Sequence, residues 1–282
     1  MPRRLPVWAK QTVLGAVLAV IHGGTALAAE GQPHNWEVNF QDAATPIAQL
    51  MHNFNNLLLA IMAAIVALVL ALIVWVAIRY NEKANPKPSK TTHNTPLEII
   101  WTVIPILILA FIAVPSFRLL YAQYSFPKTD LTIKATGHQW YWTYNYPDYG
   151  NFSFDSFMLE DSERKPGQPR LLSVDEEVVV PVGKVVNVLV TSTDVIHGWA
   201  VSSFGVKVDA VPGRVTRTWF KALKPGVYYG QCSQLCGANH AFMPIAVRVV
   251  SEQDFAAWVK KQQESAGIIR AKKIAAREVH RD

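Results

Sequence analysis

Two long apolar runs stand out in the first half of the chain. Residues 57–78 are almost wholly apolar and, at about 1.5 Å per helical residue, are long enough to cross a bilayer. Residues 99–117 form a shorter run that contains Pro105 and Pro115, which a spanning helix tolerates when neighbouring groups satisfy the freed backbone. The pattern predicts a hairpin of two transmembrane helices over residues 56–121.

The segment between the two runs, residues 79–96, is rich in basic residues. It contains Arg79, Lys83, Lys87 and Lys90 against the single acid Glu82. The positive-inside rule therefore predicts a cytoplasmic loop. Both chain termini are then expected on the periplasmic side of a bacterial inner membrane.

The N-terminus has the features of a secretory signal. Residues 1–28 combine three basic residues with a short apolar run and small residues near Ala28. Because the apolar run is too short to span a bilayer, we predict a cleaved signal peptide rather than a retained anchor. Residues 29–55 are then expected to form a periplasmic N-terminal segment.

Residues 122–250 alternate apolar and polar positions in short segments separated by Gly and Pro. The strand-like segments are residues 131–146, 185–192, 215–222, 226–233 and 244–250. They predict an all-β domain, a small antiparallel barrel or sandwich. Phe255, Trp258 and Val259 then follow at helical spacing, so a C-terminal helix and a charged tail are expected over residues 251–282.

The formal net charge of +6 does not indicate nucleic-acid binding. The basic residues are concentrated at the N-terminus, in the loop 79–96 and in the C-terminal tail, which is a membrane-topology pattern. We therefore expect contact with a lipid bilayer and none with nucleic acid.

One short segment, CSQLCGANHAFMP, carries a set of soft metal ligands. The chain's two cysteines, Cys232 and Cys236, are followed by His240 and Met243. Thiolate, thioether and imidazole donors select copper over hard cations, and a weak axial methionine is typical of electron-transfer copper. A mononuclear site needs only one thiolate, so the second indicates two bridged metal ions. His197, which follows a hydrophobic strand, is the best candidate for a second imidazole.

The same residues allow simpler interpretations. His197 could be a structural histidine, and two cysteines four residues apart could form an extracytoplasmic disulfide. The chain would then be a membrane-tethered binding domain whose aromatic GHQWYW segment holds a ligand. That interpretation leaves His240 and Met243 without a role.

Taken together, these segments resemble subunit II of the haem-copper cytochrome c oxidases, over nearly the whole chain. The likeness includes CSQLCGANHAFMP, GHQWYWTYNYP, DVIHGWAV, VDAVPGR and the membrane segment PLEIIWTVIPILILAFIAVPS. It implies a cupredoxin-like β-domain and a dinuclear copper A centre. The implied ligands are His197 and His240 as terminal imidazoles, Cys232 and Cys236 as bridging thiolates, Met243 as weak axial ligand and the backbone carbonyl of Gln234.

The resemblance also implies a role in respiration. Reduced cytochrome c would deliver an electron near Trp140, and haem in subunit I would receive it for oxygen reduction coupled to proton pumping. Subunit I, subunit III and cytochrome c are the implied partners, with haem confined to the partner subunit. A copper-free subunit II of a quinol oxidase is the alternative within this superfamily, and the retained ligand set disfavours it.

Further residues acquire roles by the same resemblance. Glu98 falls at the mouth of a proton pathway into subunit I. Residues 148–177 contain eight acidic and three basic side chains, a bias that could steer a basic partner. The implied docking acids are Asp148, Asp155, Asp175 and Asp194, whereas Asn145 and Asn151 replace acids that the family often has.

Gln234 departs from the family pattern, which has glutamate at this position. That glutamate helps to bind magnesium or manganese at the interface with subunit I. A neutral amide oxygen is a weaker ligand for a hard cation, so we expect weaker hard-metal binding, while the backbone contact with copper is preserved. By the same resemblance, Asp209 in VDAVPGR lies near that site.

Overall fold

The computed structural model describes residues 31–267. The predicted signal peptide, residues 1–28, and the tail beyond residue 267 lie outside the described residues. Two long helices precede a β-domain, and a short helix follows it. The predicted fold class, a two-helix membrane hairpin with an all-β cupredoxin-like domain, is confirmed.

Helix α1 (Pro46–Arg79) and helix α2 (Thr95–Tyr124) are both long and apolar enough to cross a membrane. Each begins at a capping residue, Thr45 or Asn94, whose side chain accepts a backbone N–H of the first turn. Both helices run past the apolar segments that predicted them. The additional turns at the start of α1 and at the end of α2 lie against the β-domain, and hydropathy alone does not register such contacts.

The hairpin is joined to the β-domain at the free ends of both helices. Thr45 donates its hydroxyl to the carbonyl of Phe204 at 2.7 Å. Gly205 has φ +66°, and a Cβ there would come within 3.0 Å of the α1 backbone, so the close approach requires glycine. At the end of α2, the indole of Trp219 donates to the carbonyl of Gln123 at 3.2 Å. These contacts fix the β-domain on the hairpin.

The β-domain consists of two five-stranded sheets. The first sheet contains, in spatial order, β3 (Phe152–Ser156), β2 (Tyr141–Tyr146), β1 (Leu131–His138), β5 (Val185–Ser192) and β8 (Thr216–Lys221). The second contains β4 (Val178–Pro181), β10 (Pro244–Val250), β9 (Gly226–Cys232), β6 (His197–Val201) and β7 (Val206–Ala210). The pairs are antiparallel except β1–β5 and β4–β10, which are parallel. The alternation of apolar residues predicts strands, but it does not reveal the direction in which distant strands pair.

The core between the sheets is largely aromatic. Strands β1 and β2 bury every second residue, as expected of sheets with one face inward. Trp142, Tyr144 and Trp199 are fully buried there. Helix α3 (Glu252–Ser265) covers one end of the sandwich, where Trp258 meets the ring of Tyr146 edge-on at 5.1 Å. This packing leaves the loops at the other end free to carry a site.

Candidate metal centre

The candidate ligands come together because β6 and β9 are neighbours in the second sheet. Cys232, the last residue of β9, pairs with Trp199, which places it beside His197 at the start of β6. The chain then forms a loop and a single 3-10 turn, His240–Phe242, before β10. The amide of Cys232 donates to the carbonyl of Met243 at 3.0 Å, which closes the loop at its base.

The donor atoms form a continuous line. His197 Nδ1 lies 3.9 Å from Cys232 Sγ, the two sulfurs are 3.8 Å apart, and Cys236 Sγ lies 3.5 Å from His240 Nδ1. The carbonyl oxygen of Gln234 is 3.4 Å from Cys232 Sγ. Donors that share a small metal ion lie roughly 3–4 Å apart, given metal–ligand bonds of about 2.0–2.3 Å. The spacing therefore fits metal ions seated between the donors.

Burial makes this cluster suitable for a redox metal. His197 and Met243 are almost completely buried, both cysteines are buried, and His240 is half-buried. The site thus lies directly beneath the surface, with one imidazole reaching towards solvent. Shielding from water favours metal binding by soft ligands and limits rearrangement around the metal.

The structure leaves the disulfide alternative without support. Cys232 and Cys236 are free thiols. Their sulfurs are 3.8 Å apart, whereas a disulfide requires about 2.05 Å. In the same arrangement the thiol of Cys236 lies beside the imidazole of His240, a contact that the disulfide interpretation does not explain.

Asp194 holds His197 in place. Its Oδ1 lies 2.8 Å from His197 Nε2 and also accepts the amide of Val195 at 2.6 Å, while Oδ2 accepts the amide of Gln139 at 2.7 Å. Histidine ligands commonly present their second nitrogen to a carboxylate, which fixes the tautomer and the ring orientation. With Nε2 bound to Asp194, Nδ1 of His197 is left facing the thiol.

The surroundings of Cys232 favour the ionised thiolate over the neutral thiol. Burial opposes ionisation of the Cys232 thiol, but hydrogen bonds with His197 and with the backbone outweigh it and lower its pKa to about 6. Burial and the negative charge at Cys232 raise the pKa of Cys236. Burial likewise opposes protonation of His197, yet its contacts with Cys232 and Asp194 raise its pKa overall. A bound cation would replace the proton that these groups share.

Trp140 lies against the ligand loop. Its indole N–H donates to the carbonyl of Cys236 at 3.1 Å, and the side-chain amide of Gln139 donates to the same oxygen at 2.9 Å. Gly237 has φ +117°, and a Cβ there would lie 3.1 Å from the Trp140 ring. The predicted electron-input residue is therefore in direct contact with a candidate ligand residue.

Three of the four predicted docking acids lie towards the Trp140 end of the β-domain, and the fourth does not. These residues are Asp148, Asp155, Asp175 and Asp194. The carboxylate of Asp148 accepts the amide of Thr132 at the start of β1, roughly 20 Å along the strand from Trp140. Asp155 is paired in register with Thr143, nearer the Trp140 end of the sheet. Asp194 serves His197, so the structure gives it a role that the sequence analysis did not foresee.

Glu98 lies on the membrane hairpin, whereas Gln234 lies in the β-domain. The carboxylate of Glu98 accepts the amide of Asn94 at 3.0 Å, an arrangement typical of a capping box at the start of α2. Gln234 is exposed in the ligand loop. Asp209 is exposed opposite Gly198 in the β6–β7 pair, and therefore lies on a strand close to that loop.

Sequence reasoning did not identify the supporting residues around the ligands. Asp194 lies three residues before His197, and Gln139 immediately precedes Trp140. The position of Asp194 three residues before a candidate histidine ligand could have indicated its role. The contact of Gln139 with Cys236 depends on how separate strands pair, and no local pattern encodes it.

The chain is similar to known protein families and solved structures. A family model for the periplasmic domain of cytochrome c oxidase subunit II matches residues 131–250, and one for its transmembrane domain matches residues 33–119. A Rickettsia felis protein named "Probable cytochrome c oxidase subunit 2" is 50% identical over 275 residues, covering 97% of this chain and 87% of the relative. Cytochrome c oxidase subunit 2 of Cereibacter sphaeroides is 45% identical over 249 residues, covering 82% of each chain. The crystal structure of the periplasmic domain of subunit II of cytochrome oxidase from Bradyrhizobium japonicum is 61% identical, with a TM-score of 0.48, covering 50% of this chain and 99% of that one.

Proposed function

The chain belongs to the cytochrome c oxidase subunit II family, and on this premise we propose that it takes electrons from reduced cytochrome c at a dinuclear copper centre and passes them to haem in subunit I. It is a component of an oxidoreductase complex, in which subunit I would reduce oxygen and pump protons. One observation carries the proposal: the continuous line of donor atoms from His197 through Cys232 and Cys236 to His240.

Six residues would hold the two copper ions. They are His197, Cys232, Gln234 through its backbone carbonyl, Cys236, His240 and Met243. Bound copper would supply a one-electron couple, and soft thiolate and imidazole donors held by the fold would change position little between oxidation states. The buried strand ends at Cys232 and His197 keep these ligands rigid, and Asp194 fixes the orientation of one imidazole.

Trp140 is the proposed point of electron input. Its half-buried indole lies between solvent and the carbonyl of Cys236, so it offers a short covalent and hydrogen-bonded route to a bridging thiolate. Asp155 on β3, Asp175, which accepts the amide of Phe157 just after β3, and Asp194 lie towards the same end of the β-domain, and their charge would steer a basic partner there. Asp148 lies too far along the sheet to share that contact.

The hairpin would anchor the β-domain beside subunit I and subunit III. We propose that the loop 79–96 is cytoplasmic, as its basic residues favour, and that the copper domain is periplasmic. Glu98 would then lie at the cytoplasmic surface, where a proton pathway could begin. The side faces of α1 and α2 are exposed in the isolated chain, which is expected of helices that lipid and other subunits cover.

The proposal includes a hard-metal site near Gln234. An amide oxygen can ligate magnesium or manganese, but without the charge of a carboxylate. Asp209 lies on a strand next to the ligand loop and could add an oxygen ligand. We therefore expect weaker binding there than at the copper centre.

Metal analysis and electron paramagnetic resonance of the detergent-solubilised chain loaded with copper test the proposal. Two copper ions per chain that share one unpaired electron are expected. Replacing Cys236→Ser removes one bridging thiolate and should abolish the shared signal. A single copper ion with a mononuclear spectrum, or no copper at all, would contradict the dinuclear centre.

A further inference from the structure

The turn that carries Trp140 is held from three sides. Gln139 and Trp140 connect β1 to β2 and reach Cys236 with their side chains, and the amide of Gln139 reaches Asp194. These bonds join the turn to the ligand loop and to the segment before β6. The position of the indole therefore depends on what orients the ends of β1 and β2.

His138, the last residue of β1, connects these parts through its imidazole ring. Its Nε2 lies 3.0 Å from the hydroxyl of Thr143 on β2, and its Nδ1 lies 2.9 Å from the hydroxyl of Thr193, which precedes Asp194. The ring also stacks on Tyr141 with centroids 4.5 Å apart and planes 8° from parallel. The half-buried ring is thus fixed both at its edges and on its face.

The hydrogen-bond partners determine where the protons lie. An ionised carboxylate only accepts, so Thr143 donates its hydroxyl to Asp155 at 2.6 Å. The Thr143 oxygen must then accept from His138 Nε2–H, which leaves Nδ1 to accept the hydroxyl proton of Thr193. Burial lowers the pKa of His138, which agrees with the neutral ring that this assignment requires. The result is a continuous chain from Asp155 to Thr193.

We propose that His138 is a positioning residue for electron input, which holds the Trp140 turn in register between Asp155 on the partner-facing side and the Thr193–Asp194 segment on the ligand side. This inference rests on the proposed function, because it assigns His138 a role in the same electron transfer. Within the described part of the chain, no hydrogen bond joins the His138 ring to any of the proposed ligands, since its two nitrogens bond Thr143 and Thr193. It acts on the path to the centre rather than on the centre itself.

Rigid support is important because electron input depends on one contact between Trp140 and the ligand loop. A displacement of about 1 Å from a productive geometry can cost on the order of 100-fold in rate. Without its two threonine bonds, the imidazole no longer ties β2 to the segment before β6. The turn can then shift while the metal ligands stay in place.

The test uses the assembled oxidase and three variants. His138→Phe keeps an aromatic ring for stacking but loses both hydrogen bonds. Thr143→Val removes the hydroxyl that links His138 to Asp155, and Thr193→Val removes the hydroxyl that contacts His138 and the carbonyl of Gly137, each with little change in side-chain shape. Thr132→Val is the matched control: it lies on β1, and its hydroxyl makes no hydrogen bond within residues 31–267. Stopped-flow reduction by cytochrome c gives the limiting rate and the half-saturating donor concentration, and the copper spectrum reports on the ligands.

We expect His138→Phe to lower the limiting rate by about tenfold or more, with an unchanged copper spectrum, an unchanged half-saturating concentration and unchanged reduction by a small inorganic reductant. Each threonine variant should show part of this loss, and Thr132→Val none. In the double variant, His138→Phe should not lower the limiting rate below that of Trp140→Phe alone, because both changes act on the same route of electron input.

Unchanged rates in all three variants overturn the proposal, and so does a fully additive effect in the double variant. A changed copper spectrum also overturns it, because His138 would then act on the ligands. If His138→Phe fails to fold, Thr143→Val and Thr193→Val decide the matter alone. Failure of the proposed function is recognised separately, because the unmodified chain would then lack the dinuclear copper signal.

Discussion

Replacing Asp194→Asn tests how strongly the support of one ligand determines metal binding. The two carboxylate oxygens of Asp194 accept from different parts of the molecule: Oδ1 from His197 and Val195, and Oδ2 from Gln139. Asparagine offers only one acceptor oxygen. Whichever way its amide is turned, an NH₂ group faces an N–H donor, so one side of the arrangement is lost.

The size of the effect follows from the bonds involved. A carboxylate that orients a histidine ligand typically contributes 10-fold to 100-fold in metal affinity. This range corresponds to about 1.4–2.7 kcal/mol of binding free energy. The contact at 2.8 Å involves a fully buried imidazole, so we expect a loss towards the upper part of that range.

Competition with a copper chelator of known affinity, followed through the copper spectrum, measures this loss. Asp130→Asn is a suitable control, because Asp130 also accepts a backbone amide, that of Val185 at 2.8 Å, but lies at the far end of β1. Copper affinity should be unchanged in the control. A dissociation constant for Asp194→Asn within about twofold of the original value would refute the argument, because the predicted range begins at 10-fold.

Three further substitutions distinguish effects on the candidate copper site from effects on the rest of the fold. Gly137→Ala would place a Cβ 2.8 Å from Cδ2 of His197, so the imidazole must move, and we expect an altered copper spectrum and about 1–3 kcal/mol lower stability in denaturant titrations. Trp258→Ala removes aromatic packing from α3 and should lower the unfolding free energy by about 3 kcal/mol while leaving the copper spectrum unchanged. Gln234→Glu adds a carboxylate beside a backbone carbonyl that is retained, so manganese affinity measured by electron paramagnetic resonance should rise without a change at copper.

The cluster of candidate ligands could be predicted from sequence because most of its members are local. Cys232, Cys236, His240 and Met243 lie within one loop, so their proximity depends little on the rest of the fold. The hairpin was predictable for a related reason, since a bilayer requires long apolar runs wherever they occur. His197 was identified by its position after a strand, and the neighbouring placement of β6 and β9 brings it to the loop.

The remaining features depend on pairing between distant segments. The contacts of Gln139 and Trp140 with Cys236 require the β1–β2 turn of one sheet to meet a loop of the other. Asp148 matches a docking acid by motif, yet the fold places it at the opposite end of β1 from Trp140. A motif match assigns a role to a position in the chain. It does not show at which end of a sheet the fold places that residue.

Asp194 shows why charge changes near Trp140 need careful interpretation. Resemblance assigns it to docking, whereas the structure gives both of its oxygens internal partners. Weaker binding of cytochrome c after its removal could thus arise from lost attraction or from a displaced turn. Ionic strength distinguishes these causes, because attraction across solvent is screened within about 10 Å at 0.1 M salt while a hydrogen bond to a buried imidazole persists. An effect of Asp194 that remains at high salt therefore belongs to the copper centre and to the turn that carries Trp140.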